Sequence, residues 1–427
     1  MSLALTARRA LLTPPWVKNE LWRRARAVPS LDQRFAESLS LIDAVSGQQL
    51  ITFTRASDGT FVGSNGLIQT AGTNVPRFTH DPVTLESLGL LVEEQRANLL
   101  LRSEELETTW GSNNYTITSN LTAAPDGANT ADKLIRNTLD ATAPVSQNVT
   151  VSASTAYTLS LYAKAAEWGK IGLREGSTTG NYVTFDLATA SVVSTQIATG
   201  SIASVGNGWF RLTMTMTTSG GQSSYGVRVI PLPPSYTSGT PNYSFAGDGT
   251  SGLFIWGAQL EAGASATSYI PTTTATVTRS ASVADVINQS IASNIRTLYL
   301  EFRSPASGTR GVVSLNDNTA NERVNMLTSG TDPRLVVVDG GVEQANINGG
   351  TITANTRTRV AVRINENDFA ISINGAAVVT DTSGTLPTVD RLMLGRTQAG
   401  EYLNGTLARV TGWREALPNS TLQTLAG

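Results

Sequence analysis

Alternation with a period of two constrains this chain more than any other feature. Tyr157, Leu159, Leu161 and Ala163 share one face of an extended stretch, as do Phe210, Leu212, Met214 and Met216. The pattern recurs in Leu298, Leu300 and Phe302 and again in Val360, Val362 and Ile364. A helix would scatter such side chains around its circumference, whereas a strand turns them all toward one core. Turn chemistry punctuates the runs. Gly206-Asn207-Gly208 precedes Trp209, and Asn374-Gly375 follows Ile371-Ser372-Ile373, the dipeptide that suits a two-residue hairpin turn. The spacing predicts a mainly β chain built of antiparallel sheets.

Composition agrees. Only 15% of the residues are charged, against a norm of about 25%, and Thr, Ser, Gly and Asn fill the gap. With 427 residues the chain has room for two or three domains, each with its own core. It has no cysteine, which excludes disulfides, zinc knuckles and thiol catalysis together. Its single histidine, His80, excludes a histidine-rich metal site and leaves any Ser-His-Asp arrangement dependent on that residue. His80 sits in the turn-like RFTHDPVT, where a structural or merely exposed side chain is expected. A formal net charge of −2 gives the molecule no grip on nucleic acid. No run approaches the ~18 apolar residues of a membrane-crossing helix, so no membrane insertion is expected. Arg8-Arg9 is followed by too short an apolar run for a secretory signal.

Four segments emerge. Residues 1–45 hold seven basic residues before position 35 against Glu20 and Asp32, on an otherwise mildly acidic body. Trp16 to Val28 can form a short helix after Pro14-Pro15, and Trp16, Trp22, Arg23, Arg24 and Arg26 are the residues expected to dock this arm on an acidic partner. Residues 46–106 read as a turn-rich β connector, with breaks at Asp58-Gly59, Gly63 to Gly66, and Gly72 with Asn74-Val75-Pro76. Residues 107–283 and 284–427 each read as an antiparallel β-sandwich, so the fold expected is two jelly-roll-type sandwiches preceded by a partly helical attachment segment.

Three resemblances refine this reading. The connector wording FTRASDGTFV, GLIQTAGTNVPRF and GLLVEEQRANLLLRSE resembles a segment of tailed-bacteriophage virion proteins, tail fibres and head spikes among them. The order APDGANTADKL, YTLSLYAKA, VGNGWFRL and IWGAQLEAGASATSYIPT resembles carbohydrate-binding modules of the four/nine jelly-roll type. From LMLGR through YLNGTLARVTGWREAL, the last segment resembles concanavalin-type or laminin-G-like sandwiches. Together they imply a virion-located appendage, typically a homotrimer, attached to other virion proteins through its N-terminal arm and binding a host-surface glycan during adsorption.

Glycan sites of such modules use aromatic faces helped by polar side chains. Trp168, in the charged loop Ala166 to Lys170, is expected to be exposed, with Tyr182, Tyr225 and Tyr236 near Gly- and Ser-rich turns as its companions. Trp209 and Trp256 are expected between the sheets. No cofactor is expected, and no metal ligand set is readable; a structural calcium stays open at Asp126, Asp248 or Glu261, or at Asp317 and Asn318. No strand carries the paired carboxylates of a glycan hydrolase, so the chain is expected not to be an enzyme. Two other readings stay open: a capsid or tail decoration protein making only protein contacts, and a polysaccharide depolymerase.

Overall fold

The structure, a computed structural model, describes residues 20–140, 144–176, 180–241 and 244–427. Trp16 lies outside them. Strands hold 46% of the chain and helices 5%, and every paired strand described below is antiparallel, so the mainly β, two-sandwich expectation holds. The chain forms two compact units, and they interleave along the sequence.

One unit comprises residues 55–86 and 95–281. Its five-stranded sheet runs Val145–Thr150, Ser224–Leu232, Lys170–Glu175, Tyr182–Asp186, Ser191–Gln196. Its six-stranded sheet runs Thr199–Ser204, Trp209–Thr217, Ala156–Ala165, Gly252–Ala262, Ala131–Arg136, Tyr115–Thr122. The inner faces meet in one core. Tyr157, Leu159, Leu161 and Ala163 from one strand and Leu212, Met214 and Met216 from the next join Ile171, Leu173, Val183 and Val227 from the facing sheet.

Residues 20–54, 87–94 and 282–427 form the other unit. One of its sheets runs Val379–Asp381, Phe369–Ile373, Thr358–Arg363, Thr297–Arg303, Gly405–Trp413, Ser87–Val92, with Leu31–Gln33 also paired to Gly405–Trp413. The second runs Thr52–Thr54, Val283–Val286, Arg391–Leu394, Thr309–Asn316, Arg323–Ser329, Asp332–Asp339, Val342–Asn348.

The linear order of arm, connector and two domains is therefore corrected. From residue 20 onward the expected arm is part of the second unit. Leu21, Trp22 and Ala25 of the helix Glu20–Ala25 are buried with Tyr299, Trp413, Leu422 and Leu425. The Trp22 indole N–H donates to Asp32 Oδ2 at 2.9 Å, and Arg34 lies over its ring at 5.6 Å. Asp32 is fully buried yet satisfied, because Arg409 and Thr411 also donate to it. Trp22 thus serves the core and offers no docking face. Arg23, Arg24 and Arg26 are exposed, with Arg24 Nη1 3.3 Å from the Thr424 carbonyl.

The connector is likewise divided between the units. Residues 55–86 are organised by two buried arginines, of which Arg77 also reaches Ser268 beyond the segment. Arg55 donates to the carbonyls of Ser57, Ala71, Gly72 and Val75, and Arg77 Nη1 donates to Thr60 O at 2.9 Å and Ser268 Oγ at 2.8 Å. His80 is buried, its Nδ1 3.3 Å from the Val62 carbonyl.

Candidate functional site

The outer face of the five-stranded sheet is built by the same alternation that builds the core. In Ser224–Leu232, Tyr225, Val227 and Val229 point inward, which sends Gly226, Arg228, Ile230 and Leu232 outward. In Lys170–Glu175, Ile171 and Leu173 point inward, which sends Lys170, Gly172 and Arg174 outward. Cross-strand pairing then aligns Ser146 with Arg228, Arg228 with Arg174, Arg174 with Tyr182, and Tyr182 with Gln196. One row of polar and aromatic side chains crosses all five strands.

Half of this face is covered. Ile230, Leu232 and Tyr236 form a small cluster with Val193 packed against it. Lys170 Nζ holds the covering loop by donating to the carbonyls of Pro234 at 3.0 Å and Tyr236 at 2.6 Å. Pro241 closes over Gly172, where a Cβ would come within 2.5 Å of the proline ring. The other half carries the row. Asn148 and Gln196 are exposed there, and Ser146 and Arg228 are half-buried.

Arg228 Nη1 donates to Asn148 Oδ1 at 3.1 Å and to the Val227 carbonyl at 3.0 Å. Burial holds its guanidinium below the usual arginine range; Glu175 opposes this and the neighbouring Arg174 adds to it. Glu175 turns inward and accepts the Gly226 amide at 3.0 Å. Arg174 itself is 8% exposed, with its Nε buried and without a hydrogen-bond partner.

The four aromatics expected to form an exposed platform are all buried, and that expectation is corrected. Trp168 is tucked against Phe245, ring centroids 5.7 Å apart, because the turn at Ala166 folds the loop back. Tyr225 is inside the core against Tyr157, and burial raises its hydroxyl above the ordinary tyrosine range. Tyr236 belongs to the covering cluster, where its hydroxyl donates to the Gly239 carbonyl. Tyr182 alone stands in the row, at 6% exposure. Arg174 and Arg228 were missed by looking for aromatics. The signal was present in KIGLRE and YGVRVIP, where a basic residue occupies the face opposite an apolar one.

Trp209 and Trp256 are buried as expected, although not between the sheets. They lie on the outer face of the six-stranded sheet with Tyr162 and Tyr269. Arg211 sits over Tyr162 at 5.5 Å. Beside them Glu261 accepts from Gln259 Nε2, Thr267 N and Thr267 Oγ1, at 2.7 to 2.8 Å, and burial pushes its carboxyl up against these bonds. The residues GASATSYIPT are thus a clip closing that face.

The remaining calcium candidates have local partners. Asp248 accepts from the Ser251 and Thr250 hydroxyls and amides, which hold its carboxyl below the usual range. Asp126 accepts the Ala128 amide, Asp317 accepts from Thr319, and the Asn318 amide donates to Asn316. Among the described residues, no three acidic or histidine side chains gather at one point. A cavity of about 320 Å³ lies elsewhere in this unit, lined by Asp58, Thr60, Thr70, Tyr269 and Val277 among others. No helix of the described residues is long and apolar enough to cross a membrane.

No protein-family model matches the chain, and no curated protein matches it. Solved structures give distant likenesses. A carbohydrate-binding module (CBM40) of the Ruminococcus gnavus IT-sialidase, bound to alpha2,3 sialyllactose, is 15% identical over 31% of this chain and 83% of that one, with a TM-score of 0.28. Domain 4 of AbnA, a Geobacillus stearothermophilus arabinanase, in complex with arabinotriose, is 16% identical over 38% and 82%, with a TM-score of 0.29. Mouse laminin alpha1 chain domains LG4-5 are 11% identical over 65% and 85%, with a TM-score of 0.24. At these identities and scores none of them assigns this chain a ligand.

Proposed function

We propose that this chain is a non-catalytic glycan-binding component of a bacteriophage virion appendage, a tail fibre or head spike. The half of the five-stranded sheet's outer face that carries the cross-strand row would engage host-surface polysaccharide during adsorption. The row Ser146, Arg228, Arg174, Tyr182 and Gln196 carries the binding part of this reading. It presents hydroxyl, guanidinium and amide groups on a rigid sheet, the donors and acceptors that sugar hydroxyls pair with. The virion part rests on the resemblance of residues 53–104, as does the expectation of a homotrimer. Several copies on one particle would turn weak single-site binding into useful avidity. Such binding requires no nucleophile, acid–base pair or cofactor.

Labelled full-length protein should bind host cells that carry their surface polysaccharide and lose that binding on cells stripped of it. A folded oligomer that binds neither would overturn the adsorption role in favour of a decoration protein making protein contacts alone. Release of new reducing ends or unsaturated sugars from the polysaccharide would overturn the non-catalytic reading.

A further inference from the structure

We infer that the Arg174–Arg228 pair is a subsite for the carboxylate of an acidic sugar, so that the glycan bound is a uronic-acid-containing polysaccharide. This rests on the glycan-binding reading above and adds the charge class of the ligand.

Two cations directly opposite on neighbouring strands are an unfavourable arrangement in a sheet. Among the described residues, the Arg174 side chain makes no hydrogen bond and no ion pair, and its Nε is buried without a partner. Burying an unpaired cation costs free energy that the fold does not recover locally. Two other buried arginines of this unit show a contrast. Arg55 is held by four backbone carbonyls. Arg136 donates to the carbonyls of Phe245 and Asn114 and lies between the rings of Tyr115 and Phe245 at 5.0 and 4.8 Å. Those arginines are structural; Arg174 has no such employment.

Two glycines flank the Arg228 guanidinium. At Gly176 a Cβ would come within 2.7 Å of the Arg228 guanidinium, and at Gly226 within 3.2 Å of it. Glu175 is the one acidic group acting on Arg228, and its carboxylate is engaged by the Gly226 amide, so the pair keeps a net positive charge. An incoming anion would relieve the repulsion between the two guanidinium groups. A guanidinium presents parallel N–H groups that match the two oxygens of a carboxylate. Asn148 and Gln196, exposed beside the pair, are positioned to meet sugar hydroxyls.

The test is calorimetric titration of the full chain with oligogalacturonates, with their methyl esters, and with dextran sulfate. It is run on the unmodified protein and on Arg174→Gln, Arg174→Lys and Arg228→Gln. Binding of the acid form should weaken roughly tenfold or more in Arg174→Gln, the scale of a lost charge-assisted hydrogen bond. The methyl ester should bind the unmodified protein more weakly by a similar factor, Arg174→Lys should recover part of the loss, and raised salt should weaken the acid form only. Without ligand, Arg174→Gln should melt at or above the unmodified protein's temperature, whereas a merely structural arginine would lower it. The melting temperature of Arg228→Gln separates lost binding from the loss of its Asn148 contact.

Equal affinity for acid and ester, or acid binding indifferent to Arg174→Gln, would overturn the inference. So would Arg174-dependent binding of dextran sulfate without any binding of the carboxylate form. If the chain still binds host polysaccharide in those cases, the glycan-binding reading stands and only the acidic-sugar subsite falls. If the folded chain binds neither host polysaccharide nor oligogalacturonate, both fall.

Discussion

Tyr162, Trp256, Gln259 and Glu261 point outward from the six-stranded sheet and are sealed from water, whereas on the outer face of the five-stranded sheet Arg228 is half-buried and Arg174, opposite it, has an unpartnered Nε. On the first face every large group has a partner. Trp256 and Tyr269 lie 4.6 Å apart, Trp256 Nε1 donates to Thr130 Oγ1 at 3.0 Å, and the Gln259 side chain accepts the Ile270 amide at 2.7 Å. The second face has a lid over one half only. The two sheets of one sandwich thus divide the labour. One spends its outer face on a second core, and the other sets two cations directly opposite one another.

Trp256→Ala should show the largest effect, a loss of about 3–5 kcal/mol in chemical denaturation, because it empties the centre of the sealed face. A loss under about 1 kcal/mol would mean that the cover is not a core and would erase the contrast. Arg77→Ala should cost about 2–3 kcal/mol, since it leaves the buried Thr60 carbonyl and the Ser268 hydroxyl without their donor. An unchanged melting temperature would show that the 55–86 segment is not held by its arginines.

A pH-restricted effect sharpens the comparison on the core side of the same sheet. Burial pushes the Asp132 carboxyl up to about 7, with Glu107 adding to the rise and the Leu106 and Asn120 amides opposing it. Because the folded value lies above the ordinary 3.8, this group's contribution is fully present below about pH 4 and is lost as pH rises through about 7. The stability of the unmodified protein relative to Asp132→Asn, followed by urea unfolding from pH 4 to 8, should therefore fall as pH rises, over and above the slope the two share. Parallel profiles would refute the shift. The smallest effect is a gain. The Tyr225 hydroxyl is buried without a hydrogen-bond partner, so Tyr225→Phe should stabilise by about 1 kcal/mol. Destabilisation would show that the hydroxyl is engaged and that the sheet's inner face is as fully satisfied as the sealed outer one.

Much of the fold was legible. The alternating runs at 157–163, 210–216, 298–302 and 360–364 are strands whose apolar faces reach a core. The Asn374-Gly375 pair does follow a strand, Phe369–Ile373, with both residues at positive φ. The candidate site was less so. Of the four aromatics Tyr182 alone stands in the cross-strand row, and the arginines beside it carry no aromatic signal, only a charge placed opposite an apolar face. Trp168 sits among polar neighbours in the sequence, yet a tight turn buries it. Local polarity reports what surrounds a residue along the chain, not what packs on it.

By itself the sequence determined which residues are extended, where strands end and which side chains share a face, because those properties follow from the two-residue repeat and from turn chemistry. Only the tertiary structure decided which of the two faces becomes core, as Tyr225 and Arg228 illustrate on one strand. It alone joined Leu31–Gln33 to Gly405–Trp413 and set Arg174 opposite Arg228. Such pairings bring together strands separated by tens to hundreds of residues, and no local period records which distant edge a strand will find.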